Sequence, residues 1–163
     1  GGFLVWLLTA ATGHAQAPPH GIQPEVAVSF ADTVLFHDAR ADHPIRQNLG
    51  VMVGVRTTGR LRFQADWNSN LRAAAPYGTI RTAAFGVTYF TGRGRSSPYL
   101  SAGAGSFWSD EPGAKDTGAV PSANAAFGWT VSVSRHLAFE AEVRLTFTSS
   151  ARFLRPSFAL VWH

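Results

Sequence analysis

From Pro24 onward apolar side chains recur at every second position in eight successive segments, and no stretch sustains the i, i+3, i+4, i+7 spacing of an amphipathic helix. The segments read Val26, Val28, Phe30; Leu49, Val51, Val53, Val55; Leu61, Phe63, Ala65, Trp67; and Ala83, Phe85, Val87, Tyr89. They continue with Leu100, Ala102, Ala104, Trp108; Ala125, Phe127, Trp129, Val131, Val133; Leu137, Phe139, Ala141, Val143, Leu145, Phe147; and Phe158, Leu160, Trp162. A period of two places each set on one face of a strand, so the chain is restricted to an all-β architecture.

The connections alternate as well. Thr57-Thr58-Gly59-Arg60 and Ser134-Arg135-His136 are hairpin-sized, and Thr91 to Ser97 is slightly longer and rich in Gly and Arg. The stretches at about 33–47, 68–80, 109–121 and 148–156 are longer and carry Pro, Asp, Asn and Ser. Short turns at one rim and long loops at the other, with an even strand count, describe an eight-stranded antiparallel up-and-down β-barrel of the transmembrane kind.

Only 15% of the residues are charged, against roughly a quarter in ordinary soluble domains. The chain has no Cys, which excludes a disulfide scaffold and thiolate chemistry. Its net charge of +4 is spread over single, mostly Arg, positions, and acidic residues share the loops with them, so nucleic-acid binding is not expected. The first 24 residues contain no charged side chain; an apolar run, Phe3 to Ala11, precedes Ala15-Gln16-Ala17. That run is too short to span a bilayer as a helix, and the small-residue triplet fits a secretory cleavage site. Residues 1–17 are therefore expected to be a signal peptide truncated at its start, and 18–163 a single barrel domain.

A secreted lipocalin-like ligand-binding barrel has the same strand count, so the choice depends on which face is apolar. The second face reads Gly50, Met52, Gly54, Arg56 and Arg62, Gln64, Asp66; then mainly Gly, Ala, Ser and Thr; then Glu140, Glu142, Arg144. Small residues belong inside a narrow barrel, where they leave room for the long side chains of neighbouring strands. The expected lumen network is Arg56, Arg62, Asp66, Glu140, Glu142 and Arg144, with Glu25 a further candidate. The expected aromatic girdle is Trp67, Trp108 and Phe147 at one rim and Tyr89, Phe139 and Trp162 at the other. Arg40, Arg46, Arg72, Arg81, Arg152 and Arg155 are candidate contacts to lipopolysaccharide phosphates, for which guanidinium geometry is suited.

Other chemistry is weakly represented. His37, Asp38, Asp42 and His43 share a loop and offer metal-ligand types in an ordinary solvated context, so no metal site is expected. Gly92-Arg93-Gly94-Arg95 has no helix behind it to cradle phosphate, and Gly103-Ala104-Gly105 lacks the third glycine of a dinucleotide fingerprint. A lipid-facing deacylase triad would need His136, Ser132 or Ser134, and Glu140 on one face, and the parity of Glu140 points it to the lumen.

Pro98 to Gly105, PYLSAGAG, resembles the PYLGAGAG strand of small Gram-negative outer-membrane proteins, and Asn124 to Arg144, NAAFGWTVSVSRHLAFEAEVR, is similar to the strand-turn-strand before their final hairpin. The family is the OmpA-like, porin-family eight-stranded outer-membrane β-barrel, and the resemblance covers the whole chain after the leader. It implies residence in the outer membrane of a Gram-negative envelope and insertion by the outer-membrane assembly machinery, which reads the last strand. Members usually end on an aromatic residue, so an aromatic is expected beyond His163. Residues and resemblance together point to a monomeric, non-catalytic barrel without cofactor. It would sit among outer-membrane lipids and lipopolysaccharide and act in envelope structure or surface interaction through its loops. A narrow gated pore for small solutes stays open as an alternative.

Overall fold

The alternating segments form eight antiparallel strands, β1 (Ile22–Phe36), β2 (Arg46–Thr57), β3 (Leu61–Asn70), β4 (Ile80–Phe90), β5 (Ser96–Ser109), β6 (Val120–Ser132), β7 (Leu137–Thr148) and β8 (Arg152–Trp162). Each pairs with its sequence neighbours, and β8 pairs back onto β1 to close the barrel. The computed structural model describes residues 21–36, 46–57, 60–71, 79–92, 94–109, 118–149 and 152–163. The expected signal peptide, residues 1–17, lies outside them, as do His37, Asp38, Asp42 and His43.

Register sets the barrel's dimensions. Successive partners of Glu25 run Gly54, Gln64, Gly86, Gly103, Asn124, Thr146, Phe153 and return to β1 at Leu35, a stagger of ten residues. Eight strands with this stagger tilt about 41° from the axis and enclose a backbone cylinder about 16 Å across. Side chains fill a cylinder of that width.

The turns at 58–60, 91–95 and 133–136 lie at one rim, here the turn rim. Thr57 O accepts from Arg60 N at 3.3 Å and Leu137 O from Val133 N at 2.9 Å. The connections at 37–45, 71–79 and 110–119 lie at the loop rim. The fourth loop-rim connection is shorter than its sequence suggests: β8 starts at Arg152, where a loop was expected to run to about 156. Phe153 to Pro156 pair with Thr146 to Val143, and the pyrrolidine of Pro156 faces outward. Proline is compatible with a strand where its missing N–H is tolerated, which the composition of this stretch conceals.

The two faces are inverted relative to a water-soluble barrel. Phe85 is 76% exposed and Phe30, Leu100, Phe127 and Phe158 more than half, whereas Glu25 and Arg62 are 1% exposed. This distribution removes the basis for a lipocalin-like interior, because the bulky apolar side chains do not line a cavity. Tyr89, Phe139 and Trp162 stand outward near the turn rim, and Trp67, Trp108 and Phe147 outward toward the loop rim. Trp129 also belongs to the turn-rim belt, its indole Nε1 donating to Ser96 Oγ at 2.6 Å. Phe139 and Phe147 on β7 are about 20 Å apart along the barrel axis at this tilt.

One inward glycine is required by close approach. Gly128 faces Tyr99 across the β5–β6 ladder, and a methyl group there would lie 2.3 Å from the tyrosine ring. The bare backbone lets the ring lie against β6.

An outward position at mid-height tests the inverted faces. Phe85→Arg is expected to lower unfolding stability in phospholipid vesicles by about 2–4 kcal/mol, the cost of a basic side chain at the bilayer midplane. Denaturant titration of vesicle-embedded protein checks this; no loss would mean that the face does not meet hydrocarbon.

Candidate functional site

Parity sends Glu25 from β1, Arg56 from β2, Arg62 and Asp66 from β3, Glu140, Glu142 and Arg144 from β7, and Arg155 from β8 into the lumen. Among the described residues these are four arginines and four carboxylates, so the formal charge inside is zero. The neutrality matters because two like-charged pairs are direct cross-strand neighbours, Arg56 with Arg62 and Arg144 with Arg155. Such pairs repel unless carboxylates lie beside them.

Near the turn rim the centre is Arg62. Its Nη1 and Nη2 donate to both oxygens of Glu140 at 2.8 and 3.0 Å, Nη1 also reaches Glu25 Oε2 at 3.2 Å, and Nε donates to Gln64 Oε1 at 2.7 Å. Thr88 Oγ1 donates to the same Gln64 oxygen at 3.0 Å. Arg56 Nε lies 3.4 Å from Glu25 Oε1, and its guanidinium stacks 3.7 Å above the Phe90 ring. The ring of Tyr99 is 5.4 Å from that of Phe90. His163 places Nδ1 3.0 Å from Glu25 Oε1.

One layer higher Arg144 bridges two acids. Its Nη1 meets Asp66 Oδ1 and its Nε meets Glu142 Oε1, both at 2.8 Å. Tyr99 OH donates to Glu142 Oε2 at 3.2 Å and links the layers. Arg155 remains apart. Its Nε has no hydrogen-bond partner, and no carboxylate of the described residues lies within ion-pair distance. Below it is a void of about 50 Å³ lined by Ser29, Asp66, Glu142 and Ser157 among others; above it is one of about 20 Å³ lined by Asn48, Phe107 and Phe153. The larger has room for a few water molecules. At the loop rim Ile80, Phe107 and Phe153 form an apolar cluster, with the two rings 4.8 Å apart.

The lumen candidates Arg56, Arg62, Asp66, Glu140, Glu142 and Arg144 thus come together, and Glu25 joins them. Arg155 is a correction. The sequence places it in an outer loop contacting lipopolysaccharide, but it is a lumen residue of β8, because odd positions of that strand face inward and the strand extends back through Pro156. Arg81 and Arg152 are exposed on the outer wall near the loop rim, beside Trp108 and Phe147 respectively. Arg46 begins β2; its side chain, together with Arg40 and Arg72, lies outside the described residues. Tyr99 and Phe90, which wall the lumen, were not singled out. The parity of Pro98-Tyr99-Leu100 and Tyr89-Phe90 carries that signal, since each aromatic alternates with an outward neighbour. Glu140 is held by Arg62 inside the wall, whereas His136 is exposed in the turn.

No protein-family model and no curated protein matches this sequence. Solved structures do. Neisserial surface protein A superposes with a TM-score of 0.72 at 15% identity, covering 88% of this chain and 99% of that one. The N-terminal β-barrel domain of Pseudomonas aeruginosa OprF gives 0.62 at 12% identity, covering 86% and 98%. Ail, the attachment invasion locus protein of Yersinia pestis, solved with the heparin analogue sucrose octasulfate, gives 0.62 at 10% identity, covering 88% and 99%. The chain has the fold of the eight-stranded outer-membrane β-barrels. At these identities the likeness concerns the fold alone.

Arg62 and Arg155, which have no partner in common, should differ in mutational cost. Arg62→Met strands Glu140, leaves Glu25 with Arg56 and His163, and is expected to lower stability by about 3–5 kcal/mol. Arg155→Met removes a charge that holds no ion pair and is expected to cost less than half as much. Guanidinium unfolding of the two variants in detergent micelles compares them directly.

Proposed function

We propose that this chain is a monomeric integral barrel of a Gram-negative outer membrane, non-catalytic, serving envelope structure or surface interaction through its long loops. The observation that carries the reading is the inverted barrel: exposed aromatic and aliphatic residues around a charge-balanced lumen. A bilayer accepts only sheets whose backbone groups are all paired, and closure of β8 on β1 supplies that condition. The small-residue triplet after an apolar run supports export through a signal peptide, and the strand pattern supports insertion by the outer-membrane assembly machinery.

On this reading Arg81 and Arg152 contact lipopolysaccharide phosphates from the outer wall, each beside an aromatic residue at interface depth. Arg40, Arg46 and Arg72 extend the candidate set by sequence. The lumen acts as a plug, because Arg62 and Arg144 each join opposite walls. A second reading, a narrow gated pore, draws support from the 50 Å³ polar void between the layers.

Cells expressing the full chain should yield the protein in the outer-membrane fraction with a gel mobility that shifts on boiling. Recovery as a detergent-independent soluble protein would overturn the reading. In planar bilayers the native protein is expected to show no sustained conductance. Steady openings of the native protein would favour the pore.

A further inference from the structure

The chain's ionisable residues divide into three groups with different balances. Four arginines and four acids occupy the lumen. The remaining acids, Asp32, Asp38, Asp42, Asp110, Glu111 and Asp116, all belong to the loop-rim half, where Arg40, Arg46, Arg72, Arg81, Lys115 and Arg152 match them in number. The other bases, Arg60, Arg93, Arg95 and Arg135, belong to the turns, and residues 57–61, 91–97 and 133–137 contain no Asp or Glu. By sequence the other acids and bases balance, and the described turn-rim residues Arg60, Arg95 and Arg135 carry positive charge with no acid among them.

We propose that the turn rim is a contact surface for anionic phospholipid headgroups of the leaflet it faces. The proposal rests on the membrane-barrel reading above and adds a lipid preference to it. Depth is the first argument. Arg60 Nη1 donates to Tyr89 OH at 3.2 Å, and Tyr89 stands outward in the belt with Trp129, Phe139 and Trp162. This bond holds a guanidinium at the level where aromatic side chains meet headgroups. Arg95 and Arg135 are exposed, and the backbone of Arg95 is fixed by Ser132 N donating to its carbonyl at 2.7 Å.

Spacing is the second argument. The three turns follow one another at intervals of two strands, so neighbouring arginines are about a quarter of the circumference apart, roughly 12 Å on a cylinder of this width. They cannot converge on one phosphate, and they meet separate headgroups around the barrel. Guanidinium pairs bidentately with phosphate, and a basic residue at an anionic membrane surface strengthens association about fivefold.

The test reconstitutes the heat-modifiable barrel in phosphatidylcholine vesicles carrying either brominated phosphatidylglycerol or brominated phosphatidylcholine and reads tryptophan quenching. Trp129 and Trp162 lie at the turn rim as reporters. The native protein is expected to favour the brominated anionic lipid about fivefold at low salt, with the preference collapsing in high salt. Arg60→Gln with Arg95→Gln and Arg135→Gln is expected to abolish the preference. Equal quenching by the two lipids in native protein, or a preference that survives the triple variant, overturns the proposal. So does salt-sensitive binding of soluble peptidoglycan fragments without any lipid preference. Should the triple variant give no heat-modifiable band, Arg95→Gln with Arg135→Gln, at exposed positions, is expected to reduce the preference, and an undiminished preference there overturns it too. Failure of the barrel reading registers separately, as native protein without a heat-modifiable band.

Discussion

Closure of the sheet is the condition on which everything else in this molecule depends. An open sheet leaves a row of unpaired N–H and C=O groups at each edge, which hydrocarbon cannot solvate. Pairing Val26 to Ala31 with Trp162 to Ser157 removes both edges at once. The ten-residue stagger that accompanies closure then determines the width, and the width determines that the interior is filled by side chains. The glycines and alanines facing inward on β4, β5 and β6 make room for arginine and glutamate side chains projecting from β2, β3 and β7.

Within that small volume charge balance is a requirement of physics, because an unpaired ion in a low-dielectric interior is far more costly than a paired one. Near the turn rim Arg56 and Arg62 pair with Glu25 and Glu140; above them Arg144 pairs with Asp66 and Glu142, while Arg155 balances the formal charge from outside ion-pair distance. Tyr99 adds a neutral donor between the layers, and Gly128 makes its placement possible.

Much of this architecture is written in the period of the sequence. Parity alone separates Arg62, Asp66, Glu140 and Arg144 from Phe63, Trp67, Phe139 and Leu145, because a strand has only two faces. Partner choice is different in kind. That Arg62 meets Glu140, 78 positions away, follows from the stagger around the whole barrel, which no local pattern encodes. The local sequence misplaces Arg155: Ser149 to Pro156 has loop composition, and its alternation is broken by Pro156. The distribution of charge between the rims, by contrast, needs only the strand order and the positions of thirteen arginines, one lysine and the acids.

The two ion pairs that cross the lumen both connect β3 to β7, strands half a turn apart, and they do so at two heights with opposite polarity: Arg62 to Glu140, then Asp66 to Arg144. They act mechanically as a pair of cross-braces along one diameter. Among the described residues no such brace joins β1 to β5, where Ser29 and Ser101 face the interior. A closed wall that shortens along one diameter lengthens along the perpendicular one, so ties along the β3–β7 diameter resist ovalisation of the cross-section in both directions.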